Sequence, residues 1–219
     1  LSFDGVNDYV NLPIEAHPPA NAKQLTISFW TYGGASLPKN TRILESGSSL
    51  GVHLRTYLPY TDGRIIWDAG TGSVDRIQKN DFDYRGEWVH WTLQKESSIG
   101  AMFIYKNGEE WMSSYSMTRP FGGPVDNFRL GSGRTGGNYW NGWLDEVRIS
   151  FEMESPDSIK ASYSSQIPGA NFVAIGSVEG PPTLIQGQVI RGFANDANNS
   201  IAHALQTFPS ATIFSATGL

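Results

Sequence analysis

Carboxylates at strand spacing are the residues here that could act as an acid–base pair, so they come first. A glycoside-cleaving pair needs two carboxyls on one face, at i and i+2 or i+4 of a strand. Asp81-Phe82-Asp83 and Glu152-Met153-Glu154 have that spacing. Both sit in turn-rich sequence and read as solvated loop acids. Asp145-Glu146 and Glu109-Glu110 are adjacent, which predicts side chains on opposite strand faces. No Gly-x-Ser-x-Gly elbow is present to anchor a hydrolase triad. Gly131-Ser132-Gly133-Arg134-Thr135-Gly136-Gly137 lacks the Lys-Ser/Thr of a phosphate loop and reads as a flexible turn. The four histidines, His17, His53, His90 and His203, show no metal-ligand spacing, and there is no cysteine. The expectation is a chain that is not an enzyme.

Binding chemistry is better represented. Saccharides are held by aromatic faces, with amides and charged groups gripping hydroxyls. Tyr57 and Tyr60 flank the Leu58-Pro59 turn, with Trp67 beyond the Asp62-Gly63 turn. Arg134, Asn138 and Tyr139 belong to or follow the glycine-rich loop, and Trp111 follows Asn107-Gly108. Tyr57, Tyr60, Arg134 and Asn138 are the candidate ligand-binding residues. Trp30, Trp88, Trp91 and Trp143 lie in strand-like runs and read as core.

The elements that must position these residues are strands. Leu25 to Tyr32 alternates with period two, with Leu25, Ile27 and Phe29 on one face. Arg42–Glu45, Leu50–Arg55, Arg64–Asp68, Trp88–Leu93, Met102–Tyr105, Glu110–Tyr115, Asn127–Leu130 and Tyr139–Ser150 continue the pattern. Asn107-Gly108 between two such runs is the strongest hairpin signal. Asp4-Gly5-Val6-Asn7-Asp8 reads as the loop of an opening hairpin between Leu1–Phe3 and Tyr9–Leu12. One helix is predicted from Ser155: an N-cap serine, Pro156 at the first position, an acid in the first turn, and Ile159 and Tyr163 one turn apart. Phe172 to Val178 reads as a closing strand.

Bulk properties agree. The 219 residues are 17% charged, below the average of about 25%, and 12% aromatic, with 24 Gly and 12 Pro. Many short strands with frequent turns mean an all-β sandwich or barrel. The net charge of -5 and the lack of a Lys/Arg block argue against a nucleic-acid partner. No run has the length of a membrane span. Position 1 is Leu and no signal peptide is visible, so the sequence reads as a processed or trimmed product.

The order of these runs resembles a known family. Leu1-Ser2-Phe3-Asp4-Gly5-Val6-Asn7-Asp8-Tyr9-Val10, Thr26-Ile27-Ser28-Phe29-Trp30, Ile104-Tyr105-Lys106-Asn107-Gly108 and Asn138-Tyr139-Trp140-Asn141-Gly142-Trp143-Leu144-Asp145-Glu146-Val147-Arg148-Ile149 are similar to concanavalin A-like, laminin-G-like domains of microbial surface proteins. The match covers about residues 1–180. It implies a two-sheet antiparallel jelly roll that binds glycans, proteins or matrix, in a secreted or surface-exposed setting. It also implies one structural calcium ion at the positions corresponding to Asp4, Asn7, Asp8 and Asp145. Their oxygen donors suit that cation. The alternative is that Asp4 and Asn7 only brace a turn.

Residues 181–219 have no counterpart in that resemblance. They hold only two charged residues, Arg191 and Asp196. Such a segment is expected to bury itself, either as extra strands on its own sandwich or as a contact in a homo-oligomer. The leading expectation is a binding and adhesion module for a glycan or a surface protein. The second is a structural subunit of an extracellular assembly joined through 181–219.

Overall fold

A computed structural model describes residues 1–168 apart from residues 37, 39 and 81–84. All of these belong to one unit, Leu1–Phe172. The expected strand at Phe172–Val178, the appendage 181–219, His203, and the pair Asp81 and Asp83 lie outside the described residues.

Alternating sequence produces two antiparallel six-stranded sheets, the expected β-sandwich. The first holds, in spatial order, β1 (Ser2–Asp4), β12 (Asn141–Ser150), β3 (Gln24–Gly33), β8 (Trp88–Glu96), β9 (Ala101–Lys106) and β10 (Glu109–Ser114). The second holds β2 (Val10–Asn11), β11 (Asn127–Leu130), β4 (Arg42–Ser48), β5 (Gly51–Tyr57), β6 (Arg64–Ala69) and β7 (Asp75–Asn80). The inward residues interdigitate in one core: Leu25, Ile27, Phe29, Val89, Trp91 and Leu93 from the first sheet meet Leu44, Leu54, Ile65, Trp67 and Ile77 from the second. Trp67 is fully buried and therefore no ligand-facing aromatic.

The opening strands do not form the predicted hairpin. β1 pairs with β12 in the first sheet, and β2 pairs with β11 in the second. The intervening Asp4–Asp8 turn thus carries the chain across the edge of the sandwich. Composition marks a reversal, but not which sheet the next strand joins. β7 escapes the periodic pattern because Asp75-Arg76-Ile77-Gln78-Lys79-Asn80 has a single apolar inward residue. The Asn107-Gly108 turn is as expected, with φ of 53° and 80° at the two positions, the left-handed pair that a two-residue hairpin turn demands.

The helix α1 (Pro156–Ser164) is also as read. Ser155 accepts a hydrogen bond from the Ser158 amide and Ile159 is buried. It covers part of the outer face of the first sheet. Tyr163 stacks on Trp30 at 5.7 Å, and Trp30 Nε1 donates to Gln166 Oε1 at 2.8 Å. Hence Thr26, Ser28, Trp30, His90 and Gln94 are buried although they face away from the core.

A fully buried charge crosses between the sheets. Lys95 of β8 is fully buried, and its Nζ donates to the Ala69 carbonyl at 2.7 Å and to Asp75 Oδ2 at 2.8 Å, both on the second sheet. Burial lowers the Lys95 pKa, and the Asp75 carboxylate opposes that shift.

Two histidines make the fold acid-sensitive. Burial, and next the charge of His53, lower His17 to about 4; burial, and next Arg148, lower His90 to about 4. Both stay neutral in the folded chain down to that pH, whereas the unfolded chain takes up protons from about pH 6.5 downward. Stability is therefore level with respect to these groups above pH 6.5 and falls as pH drops toward 4, by about 3 kcal/mol for each histidine. Thermal melts between pH 7 and pH 4 are expected to show that loss, with a shallower slope for His90→Gln.

Candidate functional site

The outer face of the second sheet gathers charge that the sequence disperses. Register aligns Arg129 of β11 with Glu45 of β4, Glu45 with Arg55 of β5, Arg55 with Asp68 of β6, and Asp68 with Arg76 of β7. Neighbouring strands lie about 4.8 Å apart, so the row is a ladder of alternating sign. Asp68 is wholly buried and takes both flanking guanidiniums: Arg55 Nη2 donates to Oδ2 at 2.7 Å, and Arg76 donates through Nε to Oδ1 at 2.7 Å and Nη2 to Oδ2 at 2.8 Å. The bond to Asp68 raises the Arg76 pKa further.

The four sequence-predicted ligand residues converge beside this ladder. Tyr57 lies in the next row, opposite Arg42. Its ring carries the Arg42 guanidinium at 3.8 Å and the Arg55 guanidinium at 4.9 Å, and Tyr60 meets it edge-on at 4.8 Å. Arg42 Nε donates to Glu45 Oε2 at 2.6 Å, and Arg134 Nε lies 4.0 Å from Glu45 Oε1. The Asn138 carbonyl accepts from the Arg42 amide at 2.9 Å. The glycine-rich loop is folded onto the sheet by bonds from Gly133 N to Gly137 O and from Gly136 N to Gly133 O, both 2.9 Å. Arg134 can approach because Gly47 has no side chain; a Cβ there would lie 2.9 Å from Arg134 Cδ. Tyr57 is buried and forms the floor; Tyr60 and Arg134 are part-exposed and Arg76 is exposed at the rim.

Five of the ten arginines, Arg42, Arg55, Arg76, Arg129 and Arg134, thus share one face with two carboxylates, Glu45 and Asp68. With Asp126 near the loop margin the face remains cationic on a chain of net charge -5. The oxygens of Glu45 and Asp68 are engaged by guanidiniums, so neither carboxylate is free to act on a substrate. Sequence reasoning missed Arg42, Glu45, Arg55, Asp68, Arg76 and Arg129. Only an outward-facing charge in each strand hinted at them, and only register unites them.

The calcium expectation fares differently. Asp4 Oδ1 accepts from the Val6 amide at 2.7 Å, and Asp8 Oδ2 accepts from the Asp4 amide at 2.9 Å. Asn7 also reaches Asp4 through its amide, at 3.4 Å. Asp4 pairs with Asn141, whereas Asp145 stands four residues further along β12, opposite Trp30, about 13 Å away. The four residues are not brought together, and the loop carboxylates brace their own turn. Among the described residues no three His, Cys, Asp or Glu converge as metal ligands.

These features sit in a recognisable frame. A family model for the concanavalin A-like lectin/glucanases superfamily matches residues 4–160, and the chain belongs to that superfamily. No curated protein sequence matches it. Among solved structures, the binding domain of botulinum neurotoxin serotype G is similar at 14% identity and a TM-score of 0.58, covering 74% of this chain and 42% of that one. A heptameric pentraxin from Limulus polyphemus is similar at 17% identity and a TM-score of 0.55, covering 75% and 81%. Domain 4 of an extracellular arabinanase from Geobacillus stearothermophilus, solved with arabinotriose, is similar at 20% identity and a TM-score of 0.50, covering 65% and 68%. The chain spans about two fifths of the neurotoxin binding domains it matches. At these identities the likeness is one of fold: a lectin-like jelly roll of the kind found in binding modules.

Two outcomes follow from the geometry. Asp68→Asn removes the counter-charge that Arg55 and the exposed Arg76 share and is expected to cost about 1–3 kcal/mol in a urea titration. Calcium at millimolar concentration is expected to leave the melting temperature unchanged, since Asp145 does not reach the loop.

Proposed function

We propose that the chain is a non-catalytic saccharide-binding module, working outside the cell, whose ligand is an anionic glycan bearing carboxylate or sulfate groups. The observation that carries this is the cationic outer face of the second sheet, with Tyr57 and Tyr60 set among its arginines. Guanidiniums present forked donors that match carboxylate and sulfate oxygens; the part-exposed Tyr60 ring is the aromatic surface open to a sugar, while the buried Tyr57 holds Arg42 and Arg55 in place beneath it. Arg76 and Arg134 are the groups on the rim that a ligand meets first. Asp68 and Glu45 hold the guanidiniums at fixed spacing, so that little side-chain order is lost on binding.

The absence of an unengaged carboxylate pair on this face favours recognition over hydrolysis. The binding domains among the structural neighbours support that choice; the family, whose description spans lectins and glucanases, is compatible with either. Among the described residues no helix is long and apolar enough to cross a membrane. A homo-oligomer joined through 181–219 would rest on residues outside the described set.

The test is retention of the full chain on immobilised heparin and on polygalacturonate, with ionic strength as the variable. Retention at low salt that fades as salt screens the contacts is expected. Arg76→Ala and Arg134→Ala should each elute earlier, and the double variant earlier still. Flow-through of the wild-type chain on both matrices, or unchanged elution of the double variant, would overturn the proposal.

A further inference from the structure

The opposite face of the sandwich carries a second, chemically different cluster. Register sets Trp143 of β12 beside Tyr32 of β3, and Tyr32 beside Trp88 of β8. All three point away from the core. The ring centroids lie 5.1 Å apart for Tyr32–Trp143 and 5.7 Å for Tyr32–Trp88. Trp143 is 45% exposed and Trp88 46%, so the expectation that they are core residues is wrong. The indoles incline to the tyrosine ring by 74° and 60°, giving a cradle rather than a flat platform.

The next row holds the acids. Asp145 pairs with Trp30, two residues along from Trp143. A β-bulge between Asp145 and Arg148, with Glu146 at φ 48°, breaks the alternation that adjacency predicts. As a result Asp145 and Glu146 are both exposed and line one groove with Trp30, Trp88, Tyr163 and Gln166. The groove encloses about 340 Å³, within the range of small-ligand sites. Asp145 Oδ1 accepts only from the neighbouring Glu146 amide, and Asp145 forms no ion pair among the described residues.

The geometry points to this groove as a binding site for an uncharged oligosaccharide, separate from the cationic face. Trp88 lines the groove, and Tyr32 and Trp143 continue its aromatic surface beyond the mouth, offering apolar area to the C–H side of a sugar; the Asp145 carboxylate supplies acceptors only, which suits hydroxyl donors. The Gln166 amide is fixed at both ends, its Oε1 accepting from Trp30 Nε1 and its Nε2 donating to the Ser162 carbonyl, so it stands as a rigid part of the groove wall with one further donor and one further acceptor position. Unneutralised acid at Asp145 repels a uronate or sulfate, so the ligand class differs from that of the second sheet. The exposed aromatics are a pattern that a monomeric soluble surface otherwise avoids.

Tryptophan fluorescence and calorimetric titration of the full chain test this, with cellohexaose, xylohexaose, mannohexaose and arabinohexaose as probes. At least one is expected to bind and to shift the fluorescence. Trp88→Ala and Trp143→Ala should each weaken that binding about tenfold or more. Asp145→Asn, an exposed substitution with little bearing on folding, should weaken it severalfold. Leu50→Ser, on the tip between β4 and β5 and 70% exposed, should leave it unchanged. Excess heparin should not compete. No binding by any probe at millimolar concentration overturns the site. So does binding that Trp88→Ala, Trp143→Ala and Asp145→Asn all leave intact, or that heparin displaces.

Discussion

The cationic face of this sandwich stands on one carboxylate. Asp68 sees no solvent, and it is tolerable there only because Arg55 and Arg76 reach it from the strands on either side. The dependence runs both ways. Without Asp68 two guanidiniums would face each other across β6, and the sheet would carry their repulsion. Glu45 does the same between Arg42 and Arg134. The two acids neutralise only part of the charge, and that imbalance leaves a basic surface on an acidic chain.

The two outer faces differ because different things cover them. On the first sheet α1 lies over Trp30 and His90, so these residues are buried under a helix. It stops short of the row above, where Trp88, Tyr32 and Trp143 meet solvent. Among the described residues no α-helix lies over the second sheet. Its outward side chains cover one another through ion pairs and guanidinium–tyrosine stacking, which is why Arg42, Glu45 and Tyr57 are buried there.

Local features were legible in the sequence and non-local ones were not. Asn107-Gly108 and the Ser155 cap declare themselves within a few residues, because turn and cap chemistry is local. Tyr57, Tyr60, Arg134 and Asn138 were legible as candidates from residue type and turn context; the structure sets Tyr57, Tyr60 and Arg134 around Arg42 and Glu45, with Asn138 bonded there through its backbone carbonyl. Their partners were not: Arg55, Asp68 and Arg76 meet through register across three strands, which no short window encodes. The first turn was misread for the same reason, since composition predicts a reversal and not a change of sheet. Asp145 and Glu146 were misread because a one-residue bulge overrides strict alternation.

The bulge also explains how one scaffold holds two chemistries apart. A strict period of two would send Asp145 and Glu146 to opposite sides, placing one acid against the core or the sheet edge. The extra residue turns both outward beside the aromatic row, where Glu146 pairs with Arg148 and Asp145 has no ion pair among the described residues. The sheets are about 10 Å apart with a dry core between, and exposed charges at greater separation are screened at physiological salt. Charges on one face are therefore largely screened from those on the other. The aromatic groove beside Asp145 and the arginine ladder lie on opposite faces of one sandwich, and the register of β12 and of β4 to β7 sets which is which.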